Sequence, residues 1–228
     1  MASYFQVTQN LLEVAKKSNR DPLGIRLLAV SKTKSIEQIK QIYDQGQRDF
    51  AENYVDELVQ KATALSSLGD IQWSFIGQLQ SNKISKIMEF ATEIQTVATQ
   101  KHARYINRIA NELGKRNYPI WLHINADNES SKFGIKFEEA IDLKNFIEES
   151  CPFLRLKGIM SIPPEKYSDK NYPEIIPELY LKLRCLADTI GERQLSLGMS
   201  NDLALAIRSG SNCVRIGTAI FGARESSE

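Results

Sequence analysis

Eight short apolar segments that alternate with longer amphipathic ones are the feature that most limits what this chain can fold into. Apolar residues at spacings of three and four predict helices between them, for example over residues 35–43, 55–65, 101–116 and 174–190. Alternating strands and helices predict a parallel sheet. The apolar segments, rich in β-branched residues, predict strands at 27–30, 49–52, 73–77, 93–97, 120–125, 156–160, 194–198 and 213–217.

The number of strand-helix repeats predicts whether this sheet closes into a barrel or stays open. Eight strands, with an extra leading helix over Tyr4–Lys17, predict a single-domain (β/α)8 TIM barrel that takes up the whole chain, residues 1–228. The last helix is expected to be missing or very short after Phe221, and the leading helix could fill that gap in the outer ring. An open doubly wound sheet is the competing architecture, but no GxGxxG turn follows the first strand.

Charge and cysteine content exclude several classes of protein. Lysine and arginine total 29 against 28 acidic residues, so no long-range field favours nucleic acid or an anionic membrane. No segment approaches 18 apolar residues in a row, which argues against a membrane span. Cys151, Cys185 and Cys213 lie far apart without a CxxC pair, so we expect neither a disulfide framework nor a metal site. A cytoplasmic protein is predicted.

Lys32 follows a strongly apolar predicted strand. In a barrel the active site lies at the carboxyl ends of the strands, and a primary amine placed there can bond covalently to an aldehyde. A solvated lysine at a strand end is the alternative. Further residues fall at equivalent positions at the strand ends, namely Glu52, Asn53, Gly77, Asn125, Met160, Ser161, Gly198, Ser200, Arg215, Gly217 and Thr218.

Arg215 lies within an apolar strand, and a guanidinium facing a barrel interior needs an acceptor or an anion to offset its desolvation. Gly217 shares its face, where a missing side chain lets backbone N–H groups approach a ligand. With the hydroxyls of Ser200 and Thr218 and the start of a helix predicted over 202–208, the pattern indicates a phosphate site. Ser200 could also be the N-cap of that helix.

A proline-bearing segment, residues 161–177, follows the sixth predicted strand. It holds four of the seven prolines, which predicts a long ordered loop at the barrel mouth. The loop could cover a ligand or simply connect two elements, and both interpretations stay open.

Several segments, in this order, resemble those of the pyridoxal phosphate homeostasis proteins. The resemblance spans roughly residues 27–224 and implies a barrel similar to the N-terminal domain of bacterial alanine racemase. It also implies that pyridoxal 5'-phosphate is held as a covalent aldimine on Lys32. The segments are AVSKTK at 29–34, ENYV at 52–55, FIG at 75–77, LQSNK at 79–83, LGMS at 197–200 and VRIGTAIFG at 214–222.

The same resemblance implies a role for each of eight cofactor-binding residues. Lys32 matches the Schiff-base lysine, and Arg215 matches the arginine that faces the pyridine nitrogen. The phosphate-binding positions are matched by Ser200, Gly217 and Thr218. Positions that line the cofactor pocket are matched by Asn53, Met160 and Ser161. No catalytic residue and no metal ligand is implied.

The electronics of the implied site argue against catalysis. An arginine opposite the ring nitrogen leaves the pyridine unprotonated and a poor electron sink. Racemisation also requires an acid or base on the opposite face of the cofactor. The racemases that the chain resembles take this group from a second domain. This chain ends at Glu228, so we expect no residues for such a domain. The resemblance therefore implies a non-catalytic protein that stores, buffers or delivers pyridoxal phosphate and so affects amino-acid and keto-acid metabolism. We expect a monomer whose partners are pyridoxal phosphate and pyridoxal phosphate-dependent apoenzymes.

Two alternatives belong to other classes. One is a small pyridoxal phosphate-dependent amino-acid racemase in which a tyrosine near a strand end, such as Tyr54, is the opposite base. The other is an unrelated barrel in which Lys32 and Arg215 simply pair with a substrate phosphate, and it predicts no covalent adduct.

Overall fold

Eight parallel strands form a closed barrel in the computed structural model, which describes residues 3–126, 133–171 and 174–222. Each strand pairs with its neighbours in sequence, and the first strand pairs with the last in a register that sets Leu28 beside Arg215. The predicted barrel is confirmed, and the open sheet is wrong. The strands are β1 Arg26–Val30, β2 Asp49–Glu52, β3 Gln72–Phe75, β4 Glu93–Val97, β5 Tyr118–Ile124, β6 Leu154–Ser161, β7 Gln194–Ser196 and β8 Cys213–Ile216.

Helices surround the barrel. The leading helix starts with a capping box between Ser3 and Gln6 and contacts the last two helices, so it fills the gap in the outer ring as predicted. The short last helix ends at Phe221 instead of following it. The helices are α1 Tyr4–Lys17, α2 Ile36–Asp44, α3 Val55–Ala64, α4 Ile84–Phe90, α5 Gln100–Glu112, α6 Ala140–Ser150, α7 Glu178–Ala187, α8 Leu203–Arg208 and α9 Thr218–Phe221.

The strand side chains divide between two cores. Outward-facing residues such as Ala29 and Phe50 join the main core between barrel and helices. Their neighbours Leu28, Val30 and Ala51 point inward, as the two-residue period of a strand requires. The inner cluster also contains Trp121, Met160 and Cys213.

The amino-terminal end of the barrel interior is polar and closed. Glu93 is 4% exposed, and its Oε1 accepts hydrogen bonds from Arg26 (2.8 Å), Ser74 (2.7 Å) and Gln95 (2.8 Å). Its Oε2 accepts from Trp121 Nε1 (3.1 Å). We call this set, with Asp49 on Arg26, the barrel floor. Because its donors and acceptors are paired with each other, any ligand site is left to the opposite, carboxyl end of the barrel.

Element boundaries differ from the prediction where glycine or proline intervenes. β7 ends at Ser196, before Gly198, whose φ of +104° is outside the strand region. α5 ends at Glu112, because Gly114 adopts φ +66°. α7 starts at Glu178 instead of 174, with Pro177 as its N-cap. Pro173, one of the prolines of the long loop, lies outside the described residues. None of the helices in the described ranges is long and apolar enough to cross a bilayer.

Candidate functional site

The carboxyl ends of β8, β1 and β2 lie side by side and carry Gly217, Lys32 and Asn53. A Cβ added to Gly217 would lie 3.2 Å from the carbonyl oxygen of Val30 and 3.4 Å from its Cβ, so the two strand ends are in close contact. Lys32 is two residues beyond Val30, just past the end of β1, and is half-buried. The strand end that carries Lys32 is therefore adjacent to the turn that starts α9 at Thr218, which is exposed.

Arg215 is the charged group at the centre of this end of the barrel. It is 4% exposed and donates to Ser196 Oγ (2.6 Å) and to the carbonyl oxygen of Ser161 (2.7 Å). Within the described part of the chain it forms no ion pair with a carboxylate, so its acceptors are neutral. Burial lowers the pKa of Arg215, and Cys213 and Asp202 act in the opposite direction. The guanidinium is thus held in place without being neutralised.

A chain of hydrogen bonds links Arg215 to the barrel floor. Ser196 Oγ accepts from the arginine and donates to Gln95 Oε1 (2.8 Å), and the amide nitrogen of Gln95 donates to Glu93. Every donor in this chain points from the cation towards the carboxylate, so each bond polarises the next. The side chains beneath Arg215 are therefore fixed in one orientation.

Two further polar groups face the same interior. His123 alternates with the outward-facing Leu122 and Ile124, and burial together with the charge of Arg215 lowers its pKa to about 4. The imidazole is neutral at pH 7. Asn53 Oδ1 is buried without a hydrogen-bond partner among the described residues. A buried acceptor of this kind costs free energy until a donor reaches it, which favours a ligand at this position.

Gly77 and Gly198 shape the walls of the carboxyl end of the barrel. A Cβ at Gly77 would lie 1.8 Å from the carbonyl oxygen of Asn53, so no other residue fits without moving the backbone. The carbonyl oxygen of Gly198 accepts from the backbone N–H of Arg215 (2.9 Å). The motif at Gly77 thus corresponds to a close backbone approach at the end of β3, whereas a Cβ at Gly198, beyond β7, would lie 2.6 Å from the Ala206 Cβ.

Met160 and Ser161 end β6 and face opposite directions. Met160 is fully buried in the inner cluster with Trp121. The hydroxyl of Ser161 donates to the carbonyl oxygen of Ile124 (2.8 Å), so Ser161 meets Arg215 through its main-chain oxygen. Ser161 would therefore act on a ligand through its backbone and not through its hydroxyl group.

The start of α8 differs from the prediction. Asp202, not Ser200, is the N-cap, so the N-cap interpretation of Ser200 is wrong. The backbone N–H groups of Ala204 and Leu205 donate to Asp169 of the proline-bearing loop (3.0 and 2.7 Å). These two amides are occupied by a carboxylate, so they do not assist an anion site as expected. The exposed hydroxyl of Ser200 lies just before this turn.

Lys61, which belongs to a buried cluster behind Lys32, was missed in the sequence. Glu52 faces outward from β2 and pairs with Lys61 of α3, whose Nζ lies 2.8 Å from Glu52 Oε1. Lys61 is 4% exposed although it is a lysine. The sequence pattern does indicate that Lys61 is buried, because Lys61 lies in the apolar stripe of its helix with Leu58 and Leu65.

Comparisons with known proteins agree with this geometry. Residues 4–225 match the family described as alanine racemase, N-terminal domain. A pyridoxal phosphate homeostasis protein of Pasteurella multocida is 37% identical over 227 residues, which are 98% of this chain and 97% of that protein. The structure of PipY from Synechococcus elongatus with PLP bound is 29% identical, with a TM-score of 0.76 over 93% of this chain and 100% of that one.

An alanine racemase of Clostridium difficile shares the fold alone. It is 16% identical, with a TM-score of 0.69, and the match covers 97% of this chain but 60% of the racemase.

Proposed function

Because this chain belongs to the pyridoxal phosphate homeostasis proteins, within the family of alanine racemase N-terminal domains, we propose that it binds pyridoxal 5'-phosphate and serves the storage, buffering or delivery of that cofactor in the cytoplasm. The observation that carries the proposal is the convergence of Lys32, Arg215 and Gly217 at one end of the barrel. The whole chain, residues 1–228, then acts as one cofactor-binding domain.

The residues present suit the groups of this cofactor. When bound, pyridoxal phosphate supplies an aldehyde that forms a covalent imine with a primary amine, and Lys32 is the half-buried amine at the strand ends. Ser200, Gly217 and Thr218 would hold the phosphate, through hydroxyls and through amides of the first turn of α9 that have no acceptor within the helix. The unpaired Asn53 Oδ1 would accept a hydrogen bond from the ligand. Met160 and Ser161 would complete the wall of the pocket.

Arg215 supports binding without catalysis. A guanidinium stays protonated, and the Ser196 and Ser161 acceptors hold its position, so it would offer N–H donors to the pyridine nitrogen without protonating it. His123 beside it is a neutral imidazole at pH 7 and therefore a poor proton donor. We therefore propose a reversible tether for the cofactor, in a monomer that passes it to pyridoxal phosphate-dependent apoenzymes.

The test is the visible absorption spectrum of the purified protein with added pyridoxal phosphate, before and after borohydride. We expect an imine band that borohydride abolishes, and a reduced adduct on the peptide that contains Lys32. Lys32→Ala is expected to lose both. Lys86→Ala, which removes an exposed lysine paired with Asp56, is the matched control and should keep both. An unchanged adduct in Lys32→Ala, or none in the wild type, would overturn the proposal.

A second measurement separates the tether from the racemase alternative. The loaded protein is incubated with L-alanine in deuterated water, and exchange of the Cα proton is followed by NMR. We expect exchange close to that of free pyridoxal phosphate. Exchange at enzymatic rates, abolished in Tyr54→Phe, would instead establish a racemase.

A further inference from the structure

The backbone just after Lys32 is strained. Thr33 adopts φ +62°, in the left-handed region that a β-branched residue rarely enters. Such a conformation persists only where the surroundings enforce it, and it is commonly found at functional sites. Something must therefore hold the peptide groups on either side of Lys32.

Hydrogen bonds from α3 and β2 hold both flanking residues. The backbone N–H of Thr33 donates to Glu57 Oε2 (2.7 Å). The carbonyl oxygen of Ser31 accepts from Lys61 Nζ (2.7 Å), and the Ser31 hydroxyl donates to Glu52 Oε1 (2.6 Å). The residues before and after Lys32 are thus fixed by one set of side chains, on the outer face of the barrel.

Lys61 joins these contacts into a single cluster, which we call the Lys61 cluster: Ser31, Glu52, Glu57 and Lys61. Its ammonium reaches the Ser31 carbonyl, Glu52 Oε1 (2.8 Å) and Glu57 Oε2 (2.6 Å). An ammonium has three N–H donors, and here each has its own acceptor. A buried lysine with all donors used has one orientation, so the two carboxylates and the Ser31 carbonyl are held at set positions relative to each other.

We propose that Lys61 is a positioning residue for Lys32: it donates to the Ser31 carbonyl and holds Glu57, the acceptor of the Thr33 N–H, and so sets the direction in which the Lys32 side chain enters the barrel. This inference rests on the proposed function, since it assigns the purpose of that orientation to imine formation. Lys61 itself lies outside the barrel and does not touch the cofactor. A purely structural ion pair between α3 and β2 would stabilise the fold and leave the reactivity of Lys32 unchanged.

The experiment compares Lys61→Met, Glu57→Ala and Glu57→Gln with the wild type. Lys61→Met removes the ammonium but keeps an apolar chain of similar length. Glu57→Ala removes the acceptor of the Thr33 N–H, whereas Glu57→Gln loses the charge but keeps an oxygen. Lys115→Met is the matched control, because Lys115 is a half-buried lysine that donates to the carbonyl of Met88, away from the site.

The first measurement is amide hydrogen exchange of residues 31–34 in the cofactor-free protein. We expect exchange of the Thr33 amide to rise at least about tenfold in Lys61→Met and Glu57→Ala, less in Glu57→Gln, and not in Lys115→Met. The second is the rate of imine formation after mixing with pyridoxal phosphate, which should fall by about tenfold or more in the first two variants, since misplacing a reacting group slows its reaction.

Each outcome decides the proposal. Wild-type exchange and wild-type imine formation in a folded Lys61→Met would overturn it. If Lys61→Met does not fold, the Glu57 pair decides, because equal behaviour of Glu57→Ala and Glu57→Gln would show that the acceptor for Thr33 is irrelevant. Failure of the wild type itself to form an imine would refute the proposed function, while the exchange measurement would still test whether the Lys61 cluster holds the backbone.

Discussion

Replacing Glu93 by alanine tests whether the barrel floor supports the fold. Glu93 is 4% exposed and accepts from Arg26, Ser74, Gln95 and Trp121. The variant leaves these donors without their acceptor and breaks a buried ion pair, a change that typically costs about 3–5 kcal/mol.

The lower part of that range is expected here. Arg26 keeps Asp49 at 2.6 Å, and its side chain is 31% exposed, so water can reach part of the guanidinium. We therefore expect a loss of about 3 kcal/mol in the free energy of unfolding. For a chain of this size that loss corresponds to a fall in Tm of roughly 6–12 °C.

The assay is urea-induced unfolding of the cofactor-free protein at pH 7, followed by circular dichroism and by tryptophan fluorescence. Glu112→Ala is the control, because Glu112 pairs with Arg108 on the surface at 3.5 Å and its loss should change stability by less than about 0.5 kcal/mol. Glu93→Gln keeps one oxygen acceptor and should lie between the two. A loss in Glu93→Ala below about 1 kcal/mol, or one equal to the control, would refute the reasoning.

Three further variants test the site itself. Arg215→Glu should raise Cα-proton exchange of amino acids by at least about tenfold, because a carboxylate favours a protonated ring nitrogen; unchanged exchange in a variant confirmed to hold the cofactor would contradict this. His123 has a folded pKa of about 4 against 6.5 for the free side chain, so the unfolded state binds more protons between these values and stability falls as pH drops from 6.5 to 4. The decrease should reach at most about 3 kcal/mol, and urea titrations at several pH values should show a smaller one in His123→Gln. Gly77→Ala should unfold or lose cofactor binding, since its Cβ would lie 1.8 Å from the Asn53 carbonyl oxygen, whereas Gly69→Ala meets no atom within 4 Å and should behave as wild type in thermal melts.

Much of the fold was predictable because it depends on local patterns. The two-residue period of β1 and β8 places Leu28, Val30 and Arg215 on the inward face, which the structure confirms for these strands. Capping chemistry marks the start of α1 at Ser3. The predicted ends of β7 and α7 were less accurate, since a glycine and a proline altered the backbone there.

Partners of the buried polar groups were not predictable in the same way. Nothing near Arg215 in the sequence indicates that its acceptors come from Ser161 and Ser196, the former 54 residues away. Asp169 of the proline-bearing loop occupies the start of α8, where the sequence suggested a free anion site. Such pairings depend on which strand ends and loops the closed barrel brings together.

The sequence by itself determined the alternation of strands and helices, the closed barrel, and the order of motifs that places Lys32 and Arg215 at strand ends. The tertiary structure alone decided which side chains hold the backbone beside Lys32, because Lys61 donates to the Ser31 carbonyl from 30 residues away in the sequence. The physical reason is that periodicity and capping act between residues a few positions apart, whereas a buried ammonium or guanidinium must take whatever acceptors the folded chain brings within hydrogen-bonding distance.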